Sequence, residues 1–186
     1  TIPLNYSNDY YVGVIADYGN NIVESDETNN AGVGGLLDVV EADLTAAVTS
    51  QPDSALTGET IQVGATISNS GGQGGPFYVG LYLSSDMTIT TSDVRIGTLY
   101  VPSGIGAETS LPVTINGTIP LNYSNDYYVG VIADYSNHTV ESEETNNAGV
   151  GGLLEVVATD LTSAVTSQPD SALTGKTIQV GATISN

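Results

Sequence analysis

Residues 1–18 read TIPLNYSNDYYVGVIADY, and residues 118–135 read the same, letter for letter. Extended outward, the match aligns residues 1–69 on residues 118–186 without a gap, at an offset of 117. The copies differ at nine positions: Gly19/Ser136, Asn21/His138, Ile22/Thr139, Asp26/Glu143, Asp38/Glu155, Glu41/Ala158, Ala42/Thr159, Ala46/Ser163 and Glu59/Lys176. Sharing a fold demands far less identity than this. A period of 117 residues is too long for a solenoid and matches one ordinary domain. The chain therefore reads as tandem near-copies of one unit.

The run GGLLDVVEADLTAAV contains the unit boundary: LLDVV closes one unit, and the next opens at Asp43, as it does again at Asp160 in TDLTSAV. On this reading residues 1–42 are the C-terminal part of one repeat, 43–159 are a complete repeat and 160–186 are the N-terminal part of a third. The opening residues then lie inside a domain, as expected of a window on a longer protein. Linkers of a few residues couple neighbouring units closely.

Within the unit the pattern is strand after strand. TIQVGATIS alternates Ile61, Val63, Ala65 and Ile67 with polar residues or glycine, and FYVGLYLS sets Phe77, Val79, Leu81 and Leu83 on one face. VRIGTLYV, TSLPVTING and YYVGVIAD continue the series, separated by the turn clusters QPDSALTG, NSGGQGG, SSDMTITTSD and PSGIGAE. No stretch sustains a 3.6-residue period. Seven or eight short strands in one unit predict an all-β fold of tandem immunoglobulin-like β-sandwich domains.

Composition narrows the function. Twenty-one acidic residues face one lysine and one arginine, a formal charge of −19. Nucleic-acid binding and docking on anionic lipid both need basic clusters that this sequence lacks. No apolar run is long enough to insert into a membrane as a helix. Without cysteine there is no disulfide, thiol nucleophile or thiolate zinc site. Acidity without counter-charge points to strong hydration or to divalent cations as the missing positive charge.

The unit's landmarks carry a family resemblance: G-x-T-I-x-V after the first turn, LYLSSD…SD…IG in the middle, and D…VESEETNN near the end. With them the whole unit resembles the CARDB domain, the cell-adhesion-related domain of bacteria and archaea. The resemblance implies an immunoglobulin-like fold in large surface or secreted proteins and no enzymatic activity. It names no ligand.

Two oxygen-rich stretches are candidate metal sites. In SSDMTITTSD, Asp86, Thr88 and Thr90 alternate and Asp93 follows, a spacing from which a curled loop can offer Ca²⁺ carboxylate, hydroxyl and carbonyl oxygens. The loop lacks the central glycine and terminal glutamate of an EF-hand. The rival reading is a turn whose Asp and Thr side chains bond backbone N–H groups. The second stretch holds Asp134, Glu141, Glu144 and Asn147, repeated as Asp17, Glu24, Glu27 and Asn30. Like charges this close repel unless solvated or bridged by a cation, and the rival reading is a solvated hairpin.

Catalysis has no support. His138, the only histidine, is replaced by Asn21 in the sister copy, and no triad assembles around it. No catalytic or cofactor-binding residue is assigned. Asn5, Asn116, Asn122 and Asn137 open N-x-S/T triplets, the acceptor pattern for N-glycosylation. Two functions follow as expectations. One is a structural repeat of an extracellular adhesin stalk or filament, stiffened by Ca²⁺, whose partners are neighbouring copies in a homopolymeric filament. The other is a recognition module that binds a surface glycan or a protein, with copies adding avidity.

Overall fold

The computed structural model describes residues 1–4, 6 and 8–186. Among the described residues every element is a strand. β1 (Asn8–Ile15) and β2 (Ala31–Val39) form an antiparallel hairpin. Eight strands follow: β3 (Leu44–Ser50), β4 (Ser54–Leu56), β5 (Thr60–Asn69), β6 (Phe77–Ser84), β7 (Val94–Val101), β8 (Thr109–Thr118), β9 (Asp126–Ala133) and β10 (Ala148–Val157). They make a three-stranded sheet ordered β3-β5-β8 and a five-stranded sheet ordered β4-β10-β9-β6-β7. A last antiparallel pair joins β11 (Thr162–Ser167) to β12 (Gly181–Ser185).

The period-two alternation sets which side chains meet between the sheets. Ile61, Val63, Ala65 and Ile67 of β5 face Phe77, Val79, Leu81 and Leu83 of β6 across one core. Leu44, Ile115, Val129, Val131, Ala133, Leu154 and Val156 complete it. All of these side chains are buried, those of β5 and β6 as the sequence pattern predicts. Tyr127 packs against this core, while its neighbour Tyr128 packs on the opposite face with Tyr82, Ile89 and Ile132.

Two segments depart from the sequence reading. QPDSALTG, expected as a turn, contains β4, which runs parallel to β10 with Ala55 buried in the core. Three residues are too few for an alternation to show. The loop SSDMTITTSD is not purely polar surface either. Its Ile89 folds down onto the outer sheet face over Gly130, where an added Cβ would lie 2.3 Å from the isoleucine side chain.

The hairpin and the complete body give one sequence two environments. Val12 and Val14 of β1 are 53% and 72% exposed, whereas their counterparts Val129 and Val131 are fully buried. Pairing of the hairpin is therefore local, and burial depends on the second sheet.

β3 and β10 run side by side in the same direction, and Gly149 lets them touch: an added Cβ would lie 2.2 Å from the Ala46 carbonyl oxygen. Gly149→Ala is expected to destabilise the fold by about 1–3 kcal/mol, the usual cost of overpacking against backbone. Gly152→Ala, whose Cβ meets only the flexible Gln51 side chain, is expected to stay within about 0.5 kcal/mol of the parent. Urea unfolding of the two variants checks the contrast.

Candidate functional site

At the end of β9 the chain turns on Asp134, whose φ of 41° lies in the left-handed region. Aspartate tolerates this conformation because its carboxylate can bond the backbone ahead of it. The His138 N–H donates to Oδ1 at 3.0 Å and the Thr139 N–H to Oδ2 at 2.6 Å. The same loop forms in the hairpin, where the Asn21 and Ile22 N–H groups donate to Asp17 at 2.9 and 2.7 Å. Those bonds hold the Asp17 carboxyl below its ordinary range. A geometry that recurs in a bare two-stranded sheet is encoded by the loop itself.

Beyond that turn, Glu141 reaches inward and ties the loop to the beginning of the unit. The Leu44 N–H donates to its Oε2 at 2.7 Å, and Asn147 Nδ2 to its Oε1 at 3.0 Å. The Ser142 N–H donates to the Ala42 carbonyl at 2.9 Å. Asn146 Nδ2 donates to Asp43 Oδ1 at 2.8 Å, and the Ser70 hydroxyl donates to the other oxygen of the same carboxylate. These two bonds, the Asn146 bond first, hold Asp43 low, whereas burial pushes Glu141 up to about 7. Burial also raises Glu144, whose carboxylate accepts the Glu141 N–H.

Three buried oxygens in this loop have no hydrogen-bond partner: Thr139 Oγ1, Asn146 Oδ1 and Asn147 Oδ1. A buried acceptor without a donor is costly, so each is a position where a cation or a water is favoured. Among the described residues, however, no group of three or more Asp, Glu, His or Cys side chains is arranged to hold a metal ion.

The remaining candidates are placed as follows. In the loop after β6, Asp86 Oδ1 accepts the Thr88 N–H at 2.7 Å. Asp93 Oδ2 accepts the Thr90 N–H at 2.7 Å and its hydroxyl at 3.1 Å. Both carboxylates cap turns. In the hairpin, Glu27 accepts the Glu24 N–H at 2.9 Å, and the Asn30 carbonyl accepts the Ala16 N–H at 2.9 Å. Asn116, on β8, and Asn122 and Asn137, in loops, are exposed; Asn5 lies outside the described residues.

Sequence reasoning missed two features. Asn69 is 3% exposed and bonds four backbone groups: its Oδ1 accepts from Asp43 and Gly71 at 3.0 and 3.1 Å, and its Nδ2 donates to Gly72 and Gly106 at 2.6 and 3.0 Å. Its polarity at the end of an alternating strand was the available signal. The second is a cluster of tyrosines around Arg95, assembled from β6, β7 and the Asp134 loop.

Comparison with known proteins finds one family. The CARDB family model matches residues 41–150. Among solved structures, a CARDB domain from Pyrococcus furiosus, described as in complex with di-metal ions, is 22% identical. It aligns with a TM-score of 0.47 over 64% of this chain and 96% of its own. The solution structure of that domain gives 20% identity, a TM-score of 0.44, and 63% and 96% coverage. A sporulation control protein from Bacillus subtilis gives 16%, a TM-score of 0.40, and 64% and 50%. No curated protein sequence matches.

The buried Glu141 makes stability depend on pH. Its carboxyl, near 7 when folded and 4.5 at its ordinary value, binds its proton more tightly in the folded chain. That contribution is complete below about 4.5 and is lost as the pH rises through about 7. In chelator, the melting temperature is expected to fall between pH 5 and 8, and Glu141→Gln to flatten the profile. A parent profile already flat would contradict the assignment.

Proposed function

We propose a function from one premise: the chain belongs to the CARDB family. Its repeat serves as a structural segment of a cell-surface stalk or filament outside the cell and carries out no catalysis. The units are immunoglobulin-like sandwiches, residues 43–159 forming one and the flanking segments belonging to its neighbours. Support for the sandwich comes from the β3-β5-β8 sheet facing β10-β9-β6-β7, with β4 crossing over to lie parallel to β10.

One observation carries the stalk reading: the chain enters and leaves the unit at opposite poles. Asp43 lies beside Asn146, just before β10, while Leu56 pairs with Val157 at the end of β10. Ten residues of strand separate those poles by about 30 Å. Four residues lie between β2 and β3, and four between β10 and β11. Units joined pole to pole through such short links extend the array instead of folding it back. Neighbouring copies of the repeat are then the first partners, along one chain or in a homopolymeric filament.

Calcium stiffening belongs to the same proposal. Its place is the loop 134–147, where the donorless oxygens of Thr139, Asn146 and Asn147 lie among carboxylates raised by burial. Glu141, Glu144 and those oxygens would supply the hard donors Ca²⁺ prefers. The loop after β6 has less to offer, since its carboxylates already close on their own backbone.

Small-angle scattering of chains with one, two and three complete repeats tests the stalk. The maximum dimension is expected to grow by roughly 40–45 Å per unit, the length of a ten-residue strand plus a part-extended linker. Growth as the square root of unit number would mean a flexible string and defeat the reading. Ca²⁺ is expected to raise the melting temperature relative to chelator by mass action on the folded state. Superimposable melting curves would remove calcium from the proposal and leave the stalk standing.

A further inference from the structure

We propose that the outer face of the five-stranded sheet, at Tyr78, Tyr100, Tyr135 and His138, binds a neutral pyranose of a carbohydrate chain. The inference is independent of the stalk reading. Tyr78 and Tyr100 are cross-strand partners in β6 and β7, with ring centroids 4.7 Å apart. Tyr135 and His138, from the Asp134 loop, bring their rings within 6.3 and 6.0 Å of Tyr78.

The shelf is built from below. Gly80, between Tyr78 and Tyr82 on the same face, leaves the sheet bare: an added Cβ would lie 2.5 Å from the Tyr82 ring and 3.0 Å from that of Tyr135. Those two rings settle edge to face over it, with centroids 6.4 Å apart. Arg95 lies 4.4 Å from the Tyr135 ring centroid and bonds the Tyr82 side chain. The lower rings are thus fixed, while Tyr78 and Tyr100 remain 37% and 49% exposed.

Charge and area select the ligand. The chain carries −19, which repels nucleic acids and acidic polysaccharides. Its only arginine stands over the Tyr135 ring and its only histidine beside Tyr78. The exposed faces of Tyr78 and Tyr100 amount to on the order of 200 Å², well below the roughly 800 Å² per partner of a stable protein contact. An uncharged, narrow ligand fits both limits. A pyranose offers an apolar C–H face to the rings and hydroxyls to the tyrosine hydroxyls, the His138 ring and the exposed Thr98 across from Gly80.

The two copies point to the same place. Three of their nine differences, at Ser136, His138 and Thr139, fall in the one short loop that edges the shelf, while Tyr135 matches Tyr18. A common scaffold with substitutions gathered beside an aromatic face is the pattern expected of sites tuned to related ligands.

The full chain, titrated with cellohexaose, laminarihexaose, mannohexaose and hexagalacturonate and followed by amide NMR shifts, tests the proposal. At least one of the three neutral oligosaccharides is expected to shift β6, β7 and residues 134–139, with Kd on the order of 1 mM. Tyr100→Ala is expected to weaken that binding at least tenfold without lowering the melting temperature appreciably, and Tyr11→Ala to leave it unchanged. No shift from any neutral probe at about 10 mM would overturn the proposal. So would binding of hexagalacturonate alone, or undiminished binding by Tyr100→Ala.

Discussion

The bond from the Leu44 N–H to the buried Glu141 carboxylate joins residues 97 apart in the chain. It lies where β3 begins, four residues after β2, the point at which an opening strand most needs to be held. Ala42, Asp43 and Leu44 are each caught by the loop that precedes β10, through Ser142, Asn146 and Glu141 in turn. Asn69 secures the same corner from the end of β5. Burying a carboxylate is expensive, and the two N–H donors at Glu141 offset only part of that cost, which is why its proton is held so high. Once the corner is closed, β3 can lie along β10 and the core beneath them is sealed.

Charge is distributed to make this possible. β3, β5 and β8 contain no charged residue in any of their lengths. Most of the acids sit in loops and at strand ends, where water screens their mutual repulsion. Within the loops many carboxylates find backbone N–H groups: Asp26 and Glu143 each take the backbone N–H and hydroxyl of a threonine two residues on. Such bonds lower the acid's pKa without any cation. About half of the acids are thus matched by the protein's own donors, and the loop with unmatched oxygens stands out against that background.

The all-β class was legible because alternation is a strong signal over strands of eight to ten residues, and Ile61 to Ile67 and Phe77 to Leu83 take the faces their spacing assigns. β4 was not legible, since three residues carry no period and its pairing depends on β10, about a hundred residues away. The two acidic stretches were visible as acid-rich loops. Which oxygens would be capped by backbone and which left without donors was not visible, because it depends on turn geometry and burial. Asp134 and Asp86 look alike in sequence; one is buried and the other exposed. The tyrosine shelf was hidden for a different reason. Its members come from two strands and a loop, and the β6–β7 register, the bare Gly80 and the turn after β9 bring them together.

Near-identical neighbours raise the danger of mispairing, since β1–β2 carries almost the same residues as β9–β10 and could in principle close the body formed by β3 to β8. The poles of the unit forbid it within one chain. In the place of β10, Val39 would have to stand where Val156 stands, beside Ala55, while Leu44 stays at the opposite pole beside Glu141. The four linker residues reach roughly 18 Å at full extension, against about 25–30 Å to be crossed. A longer linker would remove that barrier. The short junction between β2 and β3 thus keeps the hairpin from capturing the body that follows it.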